Sequence, residues 1–99
     1  MSTGHVAIDG ELNIYRAADL KTLLQGELAR SNVLEVDLAG VTEVDSAGLQ
    51  VLMLAKQTAR AENRELRLVG HSPAVLEVFE LLDLGAWFGD ALVIGPRAA

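Results

Sequence analysis

Val33-Leu34-Glu35-Val36-Asp37-Leu38 alternates apolar and acidic residues from end to end. Side chains of a strand point to opposite faces in turn, so Leu34, Val36 and Leu38 share one face and Glu35 and Asp37 the other. Glu65-Leu66-Arg67-Leu68-Val69 repeats the pattern, with Leu66 and Leu68 on one side and Arg67 on the other. Strands covered by helices on both faces read as unbroken apolar runs. These two carry charge on one face. The helices are therefore expected on one side of the sheet only, with Arg67 opposite Glu35 or Asp37 as a cross-strand pair.

Helical periods lie between and around the strands. In residues 17–30, Leu20, Leu23, Leu24 and Leu28 fall on one face, and Gly26 weakens that helix by about 1 kcal/mol relative to Ala. Residues 47–64 form a second helix, apolar nearly all round at first and polar from Lys56 onward. Ser72-Pro73 opens a third, with Ser as N-cap and Pro at the first helical position. Its inward face is Val75, Leu76, Phe79 and Leu82, and Gly85 is the expected C-cap. At the front of the chain Val6, Ile8, Leu12 and Ile14 alternate around Asp9-Gly10, a tight-turn dipeptide. Residues 5–9 and 11–15 are read as an antiparallel hairpin, and residues 91–94 as a last short strand. The expected fold is α/β: a single mixed sheet, an N-terminal hairpin followed by parallel strands, in one domain over residues 1–99.

Composition narrows the function. The chain has 99 residues, 51% of them hydrophobic, a net charge of −6 and no cysteine. Disulfides, cysteine zinc sites and thiol catalysis are excluded, and a reducing compartment fits. The longest apolar runs are about five residues, far short of a membrane span. Residues 1–10 lack a basic start followed by an apolar stretch, so no signal peptide is expected. An acidic chain avoids nucleic acid and anionic lipid. Tyr15, Phe79, Trp87 and Phe88 are too scattered to stack bases; Trp87 and Phe88 are expected to close the end of a small core.

The chemistry concentrates at Val44-Asp45-Ser46-Ala47-Gly48-Leu49. A hydroxyl residue stands where a strand gives way to an apolar helix, and Ser46 is the expected N-cap. A helix N-terminus meets an anion with unpaired N–H groups and the positive end of the dipole, so phosphate on this serine leaves the helix intact. Gly48 marks a close backbone approach. A serine hydrolase needs a base, an orienting acid and an oxyanion hole, and the sequence here is not G-x-S-x-G. His5 and His71 are far apart, have no third ligand at metal spacing, and are expected at the surface or in a turn. No catalytic residue, metal or cofactor is expected.

These segments together resemble the STAS domain family, which includes bacterial anti-sigma factor antagonists and sulfate-transporter tails. The resemblance runs along nearly the whole chain: Gly10-Glu11-Leu12, Val36-Asp37-Leu38, the 44–49 signature, Leu68-Val69-Gly70 before Ser72-Pro73, and Phe79-Glu80-Leu81-Leu82-Asp83-Leu84. It implies that Ser46 is phosphorylated by a partner kinase, often the anti-sigma factor itself, and that the unphosphorylated form binds that factor and frees sigma. Asn13 stands where many antagonists carry an acid, and Ala47 where many carry a second serine. Ile14-Tyr15-Arg16-Ala17-Ala18 is more similar to STAS proteins of chemotaxis-type signalling or of the phospholipid-transport complex.

The expected role is a phospho-switched regulator that binds a protein partner in a bacterial cytoplasm. That partner is an anti-sigma factor with serine-kinase activity or a histidine-kinase-type regulator. The alternative is a non-enzymatic subunit docked on an ABC ATPase. The expected contact surface is a loop over residues 39–45 and the first turns of the second helix, with Thr42, Glu43, Asp45, Ser46, Ala47, Gly48 and Gln50 meeting the partner. A monomer or weak dimer is expected.

Overall fold

Asp9-Gly10 does not turn the chain. The computed structural model describes residues 3–89, and its first strand, β1 (Thr3–Leu12), runs straight through the dipeptide. The remaining elements are α1 (Ala17–Arg30), β2 (Val33–Val44), α2 (Ser46–Ala61), β3 (Glu65–Val69), α3 (Pro73–Leu81) and α4 (Leu84–Phe88). Both halves of β1 pair with β2 in parallel, Thr3 to Ala7 against Val33 to Asp37, then Asp9 to Leu12 against Gly40 to Val44. The expected hairpin is thus replaced by a bulged parallel pair, and the described sheet is all parallel, in the order β1-β2-β3.

The core phase explains the bulges. Leu34, Val36 and Leu38 point inward, and so does Val41, three residues on. An odd step reverses the face of a regular strand, so an extra residue must be absorbed between Leu38 and Val41. The register shifts there, between Ala7 and Asp9 on the partner strand, and again between Gly10 and Glu11. Gly10 takes φ +82° at this irregularity, a conformation open to glycine. Ile8 and Leu12 both reach the core, while Ile14, beyond the strand, is 66% exposed. A hairpin folding 11–15 back would have left the far half of β2 unpaired.

Parallel neighbours need a crossover, here α1 and then α2. Both crossovers step across the sheet in the same direction with the same hand, so both helices land on one face. Leu20, Leu24 and Leu28 of α1 and Leu49, Val51, Leu52, Ala55 and Ala59 of α2 are buried there against Leu34, Val36, Leu66 and Leu68. Leu23 lies at the edge of its stripe and is exposed. The opposite face is open, with Asp37, Glu65 and Arg67 exposed and Glu35 half-buried. Glu35 is paired in register with Arg67, Oε2 to Nη1 at 3.7 Å, and accepts from His5 Nδ1 at 3.0 Å.

Arg67 Nε also donates to Glu65 Oε2 at 2.6 Å and holds the Glu65 carboxyl below its ordinary pKa. The folded chain releases that proton more readily than the unfolded one. Its contribution is therefore present above the ordinary carboxylate value and lost as pH falls through the lowered folded value. Glu65 is exposed, so solvent screens the pair. Glu65→Gln is expected to melt slightly below wild type at neutral pH and level with it in acid, a convergence readable by circular dichroism.

Helix ends follow local chemistry. Asn63, at φ +58°, closes α2 earlier than the sequence pattern suggests, with Arg64 N–H donating to the Ala59 carbonyl and Asn63 N–H to Arg60. That is the six-to-one and five-to-two pairing of a Schellman end. Ser72 caps α3 as expected, its Oγ accepting from Val75 N–H at 3.2 Å. Asp83, not Gly85, takes the left-handed conformation after α3 (φ +53°), and Gly85 lies within α4. This early stop leaves Leu82 outside the core. Lys56, expected in solvent, buries its stem and donates from Nζ to the Leu66 carbonyl at 2.5 Å. His71 is likewise buried, edge-on to Phe79, which stacks on Phe88 at 5.0 Å between ring centres. Residues 91–94 lie outside the described residues.

Candidate functional site at the start of α2

Asp45, one residue before the expected cap, begins α2. Its Oδ1 accepts from Gly48 N–H at 2.9 Å, the N-cap bond to the third helical residue. Its Oδ2 accepts from Ile14 N–H at 3.3 Å, and its own N–H donates to the Leu12 carbonyl at 3.0 Å. One carboxylate therefore caps the helix and ties it to the end of β1. Aspartate and serine are comparable caps. The two bonds across to residues 12 and 14 decide between them, and a one-dimensional pattern does not contain them. Ser46 becomes the first helical residue, exposed, with its hydroxyl outside the capping network.

Asp45→Ala is accordingly expected to lose about 1 kcal/mol or somewhat more, the cost of a cap together with a loop tether. At this chain length that is a fall of about 4–8 °C in melting temperature per kcal/mol. Ser46→Ala is expected to stay within about 0.5 kcal/mol of wild type, as an exposed substitution does. Thermal unfolding of the two variants separates the assignments; a larger loss in Ser46→Ala would return the cap to serine.

The loop between β1 and α1 is held from several sides. Asn13 Oδ1 accepts from Tyr15 N–H at 3.0 Å and Arg16 N–H at 3.2 Å. Arg16 Nη1 donates to the Asp9 and Glu11 carbonyls at 2.5 and 2.7 Å, bracing the bulge. The loop thereby presents Tyr15, 90% exposed, beside Ile14. Below it Gly48 is buried, and a Cβ there would collide with the Leu12 carbonyl. The close approach expected of this glycine is real, and it fastens α2 to β1.

A cleft of about 460 Å³ opens beside this junction, lined by Asn13, Tyr15, Thr42, Glu43 and Asp45 on one side and by Ala74, Glu77 and Val78 of α3 on the other. It exists because β3 pairs only with the first half of β2, ending at Asp37–Val69. α3 fills the vacant flank of the second half. Of the residues expected at a contact surface, Thr42, Glu43, Asp45, Ser46 and Gln50 are exposed and Ala47 is half-buried. Gly48 is beneath them and positions the helix from inside. Residues 39–44 are strand, not loop. Asn13, Tyr15 and Glu77 escaped the sequence reading as surface partners. The available signal was an aromatic residue between a strand and a helix, Asn13-Ile14-Tyr15, with no apolar face to join.

Neither histidine hydrogen-bonds Ser46: His5 is on the open sheet face with Glu35, and His71 is in the core. Among the described residues no group of three or more His, Asp or Glu side chains is placed to hold a metal ion. No described helix is long and apolar enough to cross a membrane.

Comparison with known proteins agrees with this geometry. A family model described as "Mlab, STAS domain" matches residues 1–94. The anti-sigma-B factor antagonists of Listeria monocytogenes and Listeria innocua are each 34% identical over 85 residues, covering 83% of this chain and 75% of theirs. An anti-sigma factor antagonist from Mycobacterium paratuberculosis has the same fold, with a TM-score of 0.77 at 22% identity over 92% of this chain and 80% of that one. The antagonist SpoIIAA in its unphosphorylated form gives 0.71 at 18% identity over 96% and 84%. By its sequence match from residue 1 to 94 and by its fold, this chain belongs to the STAS domain family.

Proposed function

We propose that the domain is a non-enzymatic, anti-sigma factor antagonist-like regulator of the bacterial cytoplasm, binding a protein partner through the start of α2 and switched by phosphate on Ser46. The observation that carries this reading is the division of labour at the helix start. Asp45 does the structural work, which leaves an exposed serine hydroxyl free for chemistry at the end of the helix that best accepts an anion. The relatives' names support the antagonist role. Ser31 and Ser72 are buried and closed to a kinase, while Thr42 is exposed but lies within β2. After incubation with the cognate kinase, phosphopeptide mapping is expected to put the label on Ser46, and Ser46→Ala to abolish it. Label that persists in that variant removes the proposal.

A second reading keeps the surface and drops the switch: a STAS subunit docked on an ABC ATPase of a lipid-transport complex. The match to the Mlab model and the Ile14–Ala18 segment favour it. Affinity purification from native cells separates the two. A serine- or histidine-kinase-type partner supports the first, an ABC ATPase the second.

A further inference from the structure

Two open clefts meet at Glu77. One lies between Asp45 and α3; the other lies on the outer face of α3, between Pro73, Leu76, Glu80 and Leu81. Their linings hold the acids Glu43, Asp45, Glu77 and Glu80 and, among the described residues, no lysine or arginine. Six of the described cations are engaged elsewhere: Arg16 with the Asp9 and Glu11 carbonyls, Arg30 with Glu27, Lys56 with the Leu66 carbonyl, Arg60 with the Trp87 carbonyl, Arg64 with the Ser31 carbonyl and Arg67 with Glu65. The same acidic face is apolar at its crest. Leu81 is 80% exposed and Leu82 54%, at the end of a helix whose inner face is already satisfied by Val75 and Phe79.

Leu76 and Leu81 line the outer cleft together, and exposed apolar side chains gathered at a cleft mark an interaction site; charge selects the occupant. A second copy docking α3 on α3 would set Glu77 and Glu80 against their own counterparts, and like charges across an interface are disfavoured. An anionic bilayer is repelled for the same reason. An amphipathic helix suits both features, with apolar residues at i and i+3 or i+4 for Leu76 and Leu81, and flanking Lys or Arg for the glutamates. We infer that the outer face of α3, around Leu76, Glu77, Glu80 and Leu81, is the docking face for a basic amphipathic helix of the partner. This rests on the binding role proposed above and adds the chemistry of the partner and a contact remote from the phosphorylation site. The α3 contact is electrostatic at its rim and weakens with salt.

The test is photo-crosslinking in native cells, with benzoylphenylalanine in place of Leu81 or, separately, of Gln50 at the start of α2. Both side chains are exposed, so the fold is kept, as circular dichroism will verify. The expected result is one protein captured from both positions. The Leu81 adduct is expected to map to a segment with helical apolar spacing and a surplus of Lys and Arg. Adding Glu77→Lys and Glu80→Lys is expected to lower the Leu81 adduct by about tenfold or more, the usual effect of reversing charges at an interface. Capture from position 50 without capture from 81 overturns the inference and leaves the binding role standing. So does a Leu81 adduct with an acidic segment, with lipid, or with a second copy of this chain. Absence of any adduct at both positions overturns inference and binding role together.

Discussion

Gly48→Ala is expected to cost about 3 kcal/mol or more. The added Cβ would meet the Leu12 carbonyl oxygen, with the carbonyl carbon and Leu12 Cβ close behind. Two of those three atoms are backbone, and that backbone is fixed. The Leu12 carbonyl accepts from Asp45 N–H, and Leu12 is itself paired with Val44 in the sheet. Relief requires α2 to move off β1, which opens the core around Leu49 and Leu52. For a domain of this size the loss is a fall in melting temperature of more than about 12 °C. Gly26→Ala supplies the control. Gly26 is exposed inside α1, and a Cβ there meets nothing within 4 Å. The same substitution should stabilise by about 0.5–1 kcal/mol, through helix propensity and a less disordered unfolded chain. Thermal denaturation of the two variants side by side should give shifts of opposite sign. A Gly48→Ala protein melting within two or three degrees of wild type would falsify the close approach.

Ser46→Asp is expected to uncouple binding from folding. In the free domain the new carboxylate sits at the first helical position, where the dipole and unpaired N–H groups favour it by about 0.3–1 kcal/mol. Asp45 beside it and Glu43 nearby oppose it by a similar amount, about 1 kcal/mol or less for exposed groups. The balance keeps the melting temperature within a few degrees. At an interface the ledger of forces differs. Among the described residues no cation lines the cleft next to Asp45, and the basic helix inferred for the partner commits its cations to Glu77 and Glu80 on α3, so a carboxylate or phosphate pressed against the partner at Ser46 finds no free counter-charge. Burying an unpaired charge costs about 2–5 kcal/mol, a loss of affinity from roughly thirtyfold to several thousandfold. Titration of wild type and Ser46→Asp with the purified partner, alongside circular dichroism, measures both halves. Wild-type affinity in Ser46→Asp, or weak binding from a protein that has unfolded, would each remove the switch.

Much of this molecule was legible in its residues because the deciding interactions are local. β3 and α1 occupy the expected residues, since alternation and the 3.6-residue period are properties of short segments. The charged face of Glu35, Asp37 and Arg67 announced a sheet covered on one side, and register supplied the Glu35–Arg67 pair. Ser72-Pro73 began α3 because capping needs only four consecutive residues. The tertiary structure decided wherever one local signal fits two arrangements. Asp-Gly suits a tight turn or a bulge, and the pairing of residues 9–12 with 40–44 selected the bulge. Asp45 and Ser46 both cap helices well, and the backbone of Leu12 and Ile14, more than thirty residues upstream in each case, selected the aspartate. The cleft between Asp45 and α3 arises from strands of unequal length, β3 stopping opposite Asp37 while β2 runs on to Val44. Local pattern determined which residues form each element and which face each buries. Long-range pairing determined which of two acceptable caps and turns was used, because only the folded chain brings the competing partners within reach.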